Sequence, residues 1–327
     1  AARKTVRSEE AMRTIVREAA EDDAAEGSRR LEIQIDPTSY APFVGGITPA
    51  LEIVLDEAAA ASRATGVDVA VIVAASRIRH PLEARTLARL AAKYAGEGAG
   101  DVVGFGLSND ERRGVTSEWE SAFRIARKAG LRAVPHGGEL LGPEHLREVL
   151  DFLKPTRLGH GVRAAESPDV LRQVIDEGVA FEVCPASNVS LGVYSEASGV
   201  PVRTLMDAGA TIALGADDPL LFLSRLTAQY ETLREQGFDD AELAALASSS
   251  VEASFADEAS KRAWKAEIQD WLAADPSNET EPLNDADPSS EDDAEADGAR
   301  SETAHTPEEE AKRRKAARPN QVNPSRR

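Results

Sequence analysis

Short apolar segments alternate with longer helical segments along this 327-residue chain, and this alternation limits the possible folds more than any other feature. A predicted helix follows each predicted strand, and strand starts lie roughly 22 to 36 residues apart, which suits right-handed βα units. The run Val67–Ala75 is almost entirely apolar and rich in β-branched residues, as is typical of a strand buried on both faces of a parallel sheet. The predicted strands cover residues 31–36, 67–75, 101–107, 132–136, 157–160, 179–184 and 211–216.

Seven βα repeats with polar residues at the strand ends predict an α/β fold of the (β/α)8 TIM-barrel type that lacks its first strand. The alternative, an open doubly wound sheet, is disfavoured because no G-x-G-x-x-G loop follows the first predicted strand. The chain begins with Ala1 rather than Met, and a predicted helix at residues 9–28 precedes the first strand. We therefore expect a barrel domain over residues 1–274 that is incomplete at its N-terminus.

The composition changes after about residue 274. Residues 275–304 are dominated by Asp, Glu, Ser, Pro and Asn, and residues 305–327 become basic and contain Pro. Neither part has enough large apolar side chains to offset the chain entropy lost on folding. Residues 275–327 are therefore predicted to be a disordered tail, acidic and then basic, with a role as a partner tether as the alternative.

The overall charge limits the partners of the chain. A net charge of −19 and a pI of about 4.8 argue against nucleic acids and anionic membrane surfaces, because both attract basic proteins. Cys184 is the only cysteine, which excludes an intrachain disulfide or a thiolate zinc cluster and favours a cytoplasmic location. No stretch approaches the roughly 18 apolar residues of a membrane span. A small molecule is the expected partner, and the oligomeric state stays open.

Polar residues follow several predicted strands, and in a barrel the C-terminal strand ends meet at one rim. His136 and Glu139 flank two glycines, which lack a Cβ and let the backbone turn sharply. One His and one Asp from different strands are plausible zinc ligands, and Glu139 is a candidate proton shuttle beside a metal-bound water. The other polar strand ends carry Asn109 with Asp110 and Glu111, His160, Ser187 with Asn188, and Asp217 with Asp218.

These residues also have structural interpretations. A His near a Glu in a loop is commonly no more than a surface hydrogen bond. Asp217 or Asp218 can serve as the N-cap of a helix that begins at Pro219, which removes at most one of the two from the site. His145 is predicted to lie on the face of a helix, and Cys184 to be a small buried hydrophobic residue.

Five motifs occur in a fixed order: PHGGE at 135–139, RLGHGVRA at 157–164, EVCPASN at 182–188, LGADDPLLF at 214–222 and SVEASF at 250–255. Together they resemble the adenosine deaminase family of the amidohydrolase superfamily. The resemblance covers residues from about 9 to 272. It implies a (β/α)8 barrel that removes the 6-amino group of adenosine, or of a related adenine compound, by hydrolysis.

The resemblance also implies roles for individual residues. His136 and Asp217 match zinc ligands of the family, and Glu139 matches the residue that protonates ring N1. His160 matches the histidine that orients the zinc hydroxide, and Asp218 matches the acceptor for ring N7. The chemistry is consistent, because zinc lowers the pKa of water and protonation makes C6 electrophilic.

The chain departs from the family pattern in two ways. The family has an H-x-H pair at the end of its first strand, and no H-x-H occurs in this sequence. Asn109 stands where the family commonly has a glycine whose amide meets purine N3. The substrate therefore stays open among adenosine, adenine and aminofutalosine.

The missing H-x-H pair leaves two ligands, fewer than the three usual at catalytic zinc. We therefore expect the chain as written to bind zinc weakly and to lack measurable deaminase activity. A non-catalytic barrel remnant with a binding role is the main alternative, and a different barrel enzyme, such as a phosphosugar isomerase, is a distant one.

Overall fold

The computed structural model describes residues 6–274. In this range the chain forms the strands β1 Arg30–Ile35, β2 Asp68–Ser76, β3 Val102–Ser108, β4 Arg132–Gly137, β5 Arg157–His160, β6 Ala180–Val183 and β7 Ile212–Leu214. The helices are α1 Glu9–Ala25, α2 Ala41–Val44, α3 Ile47–Thr65, α4 Pro81–Ala91, α5 Glu120–Lys128, α6 Pro143–Glu148, α7 Pro168–Asp176, α8 Pro185–Ser190, α9 Val202–Asp207, α10 Pro219–Phe222, α11 Leu226–Glu235, α12 Asp240–Ala253 and α13 Glu258–Ala273.

The strands form one curled sheet in which each strand pairs in parallel with its neighbours in the sequence. Within residues 6–274 no pairing joins β1 to β7. This arrangement confirms the predicted α/β fold of the (β/α)8 TIM-barrel type with seven strands. The predicted tail at residues 275–327 lies outside the described part of the chain.

Both faces of β2 are buried, which explains its apolar sequence. Val69, Val71 and Val73 join the large apolar layer between the sheet and the surrounding helices. Ala70 and Ile72 point to the other face, where a smaller cluster includes Val103 and Val134 and packs against Phe255. Because successive side chains of a strand point to opposite faces, the alternation fixes the register of this strand.

The helix ends follow local capping rules. Ser8 accepts a hydrogen bond from the N–H of Ala11 and starts α1. Asp239 and Glu242 form a reciprocal capping box that starts α12. None of the helices in residues 6–274 is both long enough and apolar enough to cross a membrane.

A buried ion network lies at the N-terminal ends of the strands. Arg157, at the start of β5, donates to Glu182 at 2.5 Å, to Glu32 at 2.6 Å and to the carbonyl of Ala253 at 2.8 Å. Its guanidinium also lies 4.0 Å from the centre of the Phe255 ring. The N–H of Phe255 donates to Glu32 at 2.7 Å. The segment after α12, which carries the SVEASF motif, is therefore tied to this end of the sheet.

Candidate active site

The C-terminal ends of β4 and β5 bring two histidines and a glutamate together. His136 and His160 have ring centres 4.7 Å apart, with ring planes nearly perpendicular at 88°. Nε2 of His160 lies 3.5 Å from Oε1 of Glu139. Each of the three residues offers one ligand atom, and these atoms lie within 4.8 Å of one another. The three side chains that the sequence placed at one rim therefore share one site.

Two glycines make this approach possible. Gly159 pairs with His136 across the sheet, and a Cβ on Gly159 would lie 2.4 Å from Cδ2 of the His136 ring. Gly138 has a φ of +71°, and a Cβ there would lie 2.7 Å from Leu146. A left-handed backbone without a Cβ turns the chain after β4 and brings Glu139 back toward the two rings.

Asp217 and Asp218, which follow β7, make different contacts. Asp217 has a φ of +60°, and its Oδ2 accepts a hydrogen bond from the Ser187 hydroxyl at 2.6 Å. Its charge raises the pKa of His136, although Asp217 is not one of the three grouped residues. Asp218 is the N-cap of α10 and accepts the N–H of Leu221 at 3.0 Å. The capping interpretation thus applies to Asp218, through its Oδ1, and not to Asp217.

Asn109 lies directly after β3, in a left-handed conformation with a φ of +72°. Its side-chain amide donates to the Ser76 hydroxyl at the end of β2, at 2.7 Å. Ser76 is a residue that sequence reasoning missed, because the predicted strand stopped at Ala75. A polar residue one position after a buried strand was the available signal.

Burial sets the protonation of the cluster. Burial, with help from the charges of Glu111 and Asp217, raises the pKa of Glu139 to about 8, so this carboxyl holds a proton at neutral pH. Burial lowers the pKa of His160 to about 4. Burial and the neighbouring His160 also lower the pKa of His136, against the charge of Asp217. Both imidazoles are therefore neutral at pH 7, the form that binds a metal ion.

The donor set fits a metal ion. Nδ1 of His160 and Oε1 of Glu139 are buried and have no hydrogen-bond partner among residues 6–274. Buried polar atoms of this kind are costly unless a ligand or ion satisfies them. Neutral imidazoles and carboxylates are the ligand types of divalent transition metals, and His136, His160 and Glu139 offer atoms of these types here.

Comparison with known proteins gives consistent results. The family model described as adenosine deaminase matches residues 1–271. A protein from Streptomyces coelicolor described as a putative adenosine/adenine deaminase is 57% identical over 275 residues, which are 84% of this chain and 79% of that protein.

Solved structures support the same fold. The adenine deaminase of Arthrobacter aurescens is 29% identical and superimposes with a TM-score of 0.76 over 81% of this chain and 80% of that one. A Burkholderia ambifaria amidohydrolase with bound Zn is 24% identical, with a TM-score of 0.74 over 82% of this chain and 77% of that one. At that identity the second structure bears on the fold alone.

Proposed function

The chain belongs to the adenosine deaminase family, and we propose that its site serves the zinc-dependent hydrolytic deamination of adenosine or adenine, with release of ammonia. The observation that carries this proposal is the group of His136, Glu139 and His160, whose ligand atoms lie within 4.8 Å of one another. A hydrolase of the 6-amino group needs a proton donor for the ring and a metal-binding pocket for water, and the closeness of Glu139 to the two histidines supports both roles at one place. Aminofutalosine is a third candidate substrate.

We assign zinc to His136 and Asp217, with His160 beside them, on the match to the family motifs and on the donor chemistry. When bound, zinc would act as a Lewis acid that lowers the pKa of water toward neutrality. The hydrogen bond from Ser187 holds the Asp217 carboxylate in place.

Glu139 is the proposed proton shuttle. Its carboxyl carries a proton at neutral pH and can donate it to ring N1, which makes C6 more electrophilic. His160 lies within 3.5 Å of this carboxyl and is neutral, so its ring can hold a water at the reacting face. We assign Asp218 to ring N7 on its position in the LGADDPLLF motif. We assign the backbone N–H of Asn109 to ring N3 because Asn109 stands where the family commonly has a glycine whose amide meets that atom.

Replacement of Glu139 by glutamine tests the role of the shuttle. Glutamine keeps the shape but cannot transfer a proton, so in a zinc-loaded form that turns over a purine, Glu139→Gln should lower kcat by a factor of about 100 to 10,000 while zinc content stays the same. The matched control is Glu120→Gln, which changes only an exposed ion pair with Arg124 on α5. Zinc is measured by elemental analysis, and turnover by ammonia release and by the ultraviolet change of each purine. Unchanged turnover in Glu139→Gln contradicts the shuttle, and loss of zinc would make Glu139 a ligand instead.

The second candidate is a barrel that binds purines without turning them over. The absence of any H-x-H pair in the 327 residues favours it. Calorimetric titration of the zinc-loaded chain with adenosine and adenine, beside the turnover assay, separates the two functions. Binding without ammonia release supports the second candidate, and ammonia release refutes both it and the expectation that the chain as written is inactive.

A further inference from the structure

A buried carboxylate lies directly under the loop that carries Glu139. Glu111, in the turn after β3, is 1% exposed. Its Oε1 accepts the backbone N–H of Glu139 at 3.1 Å, and its Oε2 accepts those of Leu140 and Leu141, each at 3.0 Å. One side chain therefore holds three consecutive amides of the proposed catalytic loop.

Polar groups surround this carboxylate on its other side. Nδ1 of His145 lies 3.7 Å from Oε2 of Glu111, and Nε2 of the same ring lies 3.1 Å from the Thr116 hydroxyl. Arg77 donates to Thr116 at 3.4 Å. Burial raises the pKa of Glu111, and the three N–H groups and the charge of Arg77 act against that rise. The Glu111 carboxylate is thus held between the three backbone N–H groups and the polar side chains around His145.

The loop needs such a restraint because of its own sequence. Gly137 and Gly138 precede Glu139, and glycine has more backbone freedom in the unrestrained chain than any other residue. The same two glycines that let the chain turn would leave Glu139 free to take other positions. Ordering this segment costs entropy, and hydrogen bonds to a buried carboxylate offset that cost.

We propose that Glu111 is a positioning residue, which clamps residues 139–141 and so aims the Glu139 carboxyl at His160 and the substrate. Its effect on turnover rests on the proposed function, whereas its effect on the loop does not. Glu111 is not one of the residues proposed to bind the metal or the substrate. It acts through the backbone of the residue that does the chemistry, and its charge also helps to raise the pKa of that residue.

Glu111→Gln is the sharpest variant because it keeps the size of the side chain. A glutamine has one acceptor oxygen, so it can accept the N–H of Glu139 or those of Leu140 and Leu141, but not all three. Its own NH2 group, a donor, then faces the N–H groups that have lost their acceptor. Glu111→Ala removes all three hydrogen bonds. The matched control is Glu32→Gln, since Glu32 is also buried and accepts a backbone N–H, but at the opposite ends of the strands.

Hydrogen exchange followed by mass spectrometry reads the clamp directly. In Glu111→Gln, peptides covering residues 139–141 should exchange at least about tenfold faster, and in Glu111→Ala faster still. Urea unfolding of the same variants shows whether the change is local. Glu32→Gln should lower global stability while the relative protection of residues 139–141 stays as in the wild type. For turnover, Glu111→Gln should lower kcat at least about tenfold with KM within about twofold.

The outcomes separate the clamp from the proposed function. Faster exchange at residues 139–141 without any wild-type turnover supports the clamp and counts against the deaminase function. Unchanged local exchange in Glu111→Gln, or equal changes in Glu32→Gln, would overturn the proposal, and so would a parallel loss of kcat in the control. If neither Glu111 variant folds, the wild type decides: exchange at these three amides as fast as in an exposed loop refutes the clamp, and exchange only on global unfolding supports it.

Discussion

Replacing Arg157 by methionine should destabilise the fold strongly. Methionine is of similar length and uncharged, so the change removes the guanidinium and leaves the volume nearly filled. Glu182 then loses the one cation that pairs with it among residues 6–274, and Glu32 keeps only Arg30. Breaking a buried pair by removing one partner costs about 3–5 kcal/mol, because a charge stays buried without compensation. A typical domain has a stability of about 5–15 kcal/mol, so the loss is a large fraction of the total.

The loss should also depend on pH. In the wild type burial would raise the pKa of Glu32, but the charges of Arg157 and Arg30 outweigh burial and hold it below its usual value of 4.5. A depressed pKa adds stability above the unfolded value that disappears as the pH falls through the folded value. Without Arg157 the pKa of Glu32 and of Glu182 rises. Ionisation of these two carboxylates then destabilises the folded state instead of stabilising it. The deficit of Arg157→Met is therefore largest at pH 7 and shrinks as the pH falls toward 4.5.

Urea unfolding followed by circular dichroism at pH 7 and pH 5 measures both effects. The control is Arg124→Met, which breaks an exposed pair with Glu120 at 3.6 Å and should cost no more than about 0.5 kcal/mol. A loss below about 1 kcal/mol for Arg157→Met at pH 7 would refute the reasoning from burial. A loss that is the same at both pH values would refute the assignment of the cost to the two carboxylates.

Two further predictions concern single contacts. Gly159→Ala should weaken zinc binding at least about tenfold in a calorimetric titration, because the new Cβ would displace the His136 ring. In the control Gly199→Ala the new Cβ meets nothing closer than 3.5 Å, so zinc affinity should not change. Equal zinc affinities in the two variants would contradict the prediction. Burial, with the nearby charges of Glu26 and Asp22, raises the pKa of Asp23 to about 6, so its favourable contribution is lost as the pH rises through 6. Asp23→Asn should therefore stabilise the fold by about 1–2 kcal/mol at pH 8, allowing for solvent screening, and by almost nothing below about pH 4; an equal gain at both pH values would rule it out.

The order and type of the strands were predictable, because apolar, β-branched runs of strand length have few other uses. The ends of the strands were not. The predicted strand at 179–184 is Ala180–Val183, and that at 211–216 is Ile212–Leu214. Strand length is set by how far a neighbour continues to pair, which depends on the register of the sheet and not on the segment itself.

The shared position of His136, Glu139 and His160 followed from the rule that strand ends meet at one rim. The contacts of His145 did not follow, although the residue lies in α6, the helix in which it was predicted. Its side chain is 9% exposed and contacts Thr116 and Arg77. A contact of this kind depends on the path of two loops, and no periodicity in the sequence encodes that path.

Backbone strain marks the site independently of its motifs. Five residues other than glycine have a positive φ in residues 6–274, and three of them are Asn109, His160 and Asp217. Each lies at or just after the C-terminal end of a strand. A left-handed conformation costs an L-residue about 1–2 kcal/mol, less for Asn and Asp than for His, and glycine would avoid that cost. Because such strain persists only where the surrounding structure enforces it, its concentration on these strand ends points to function at the same rim where the buried polar cluster lies.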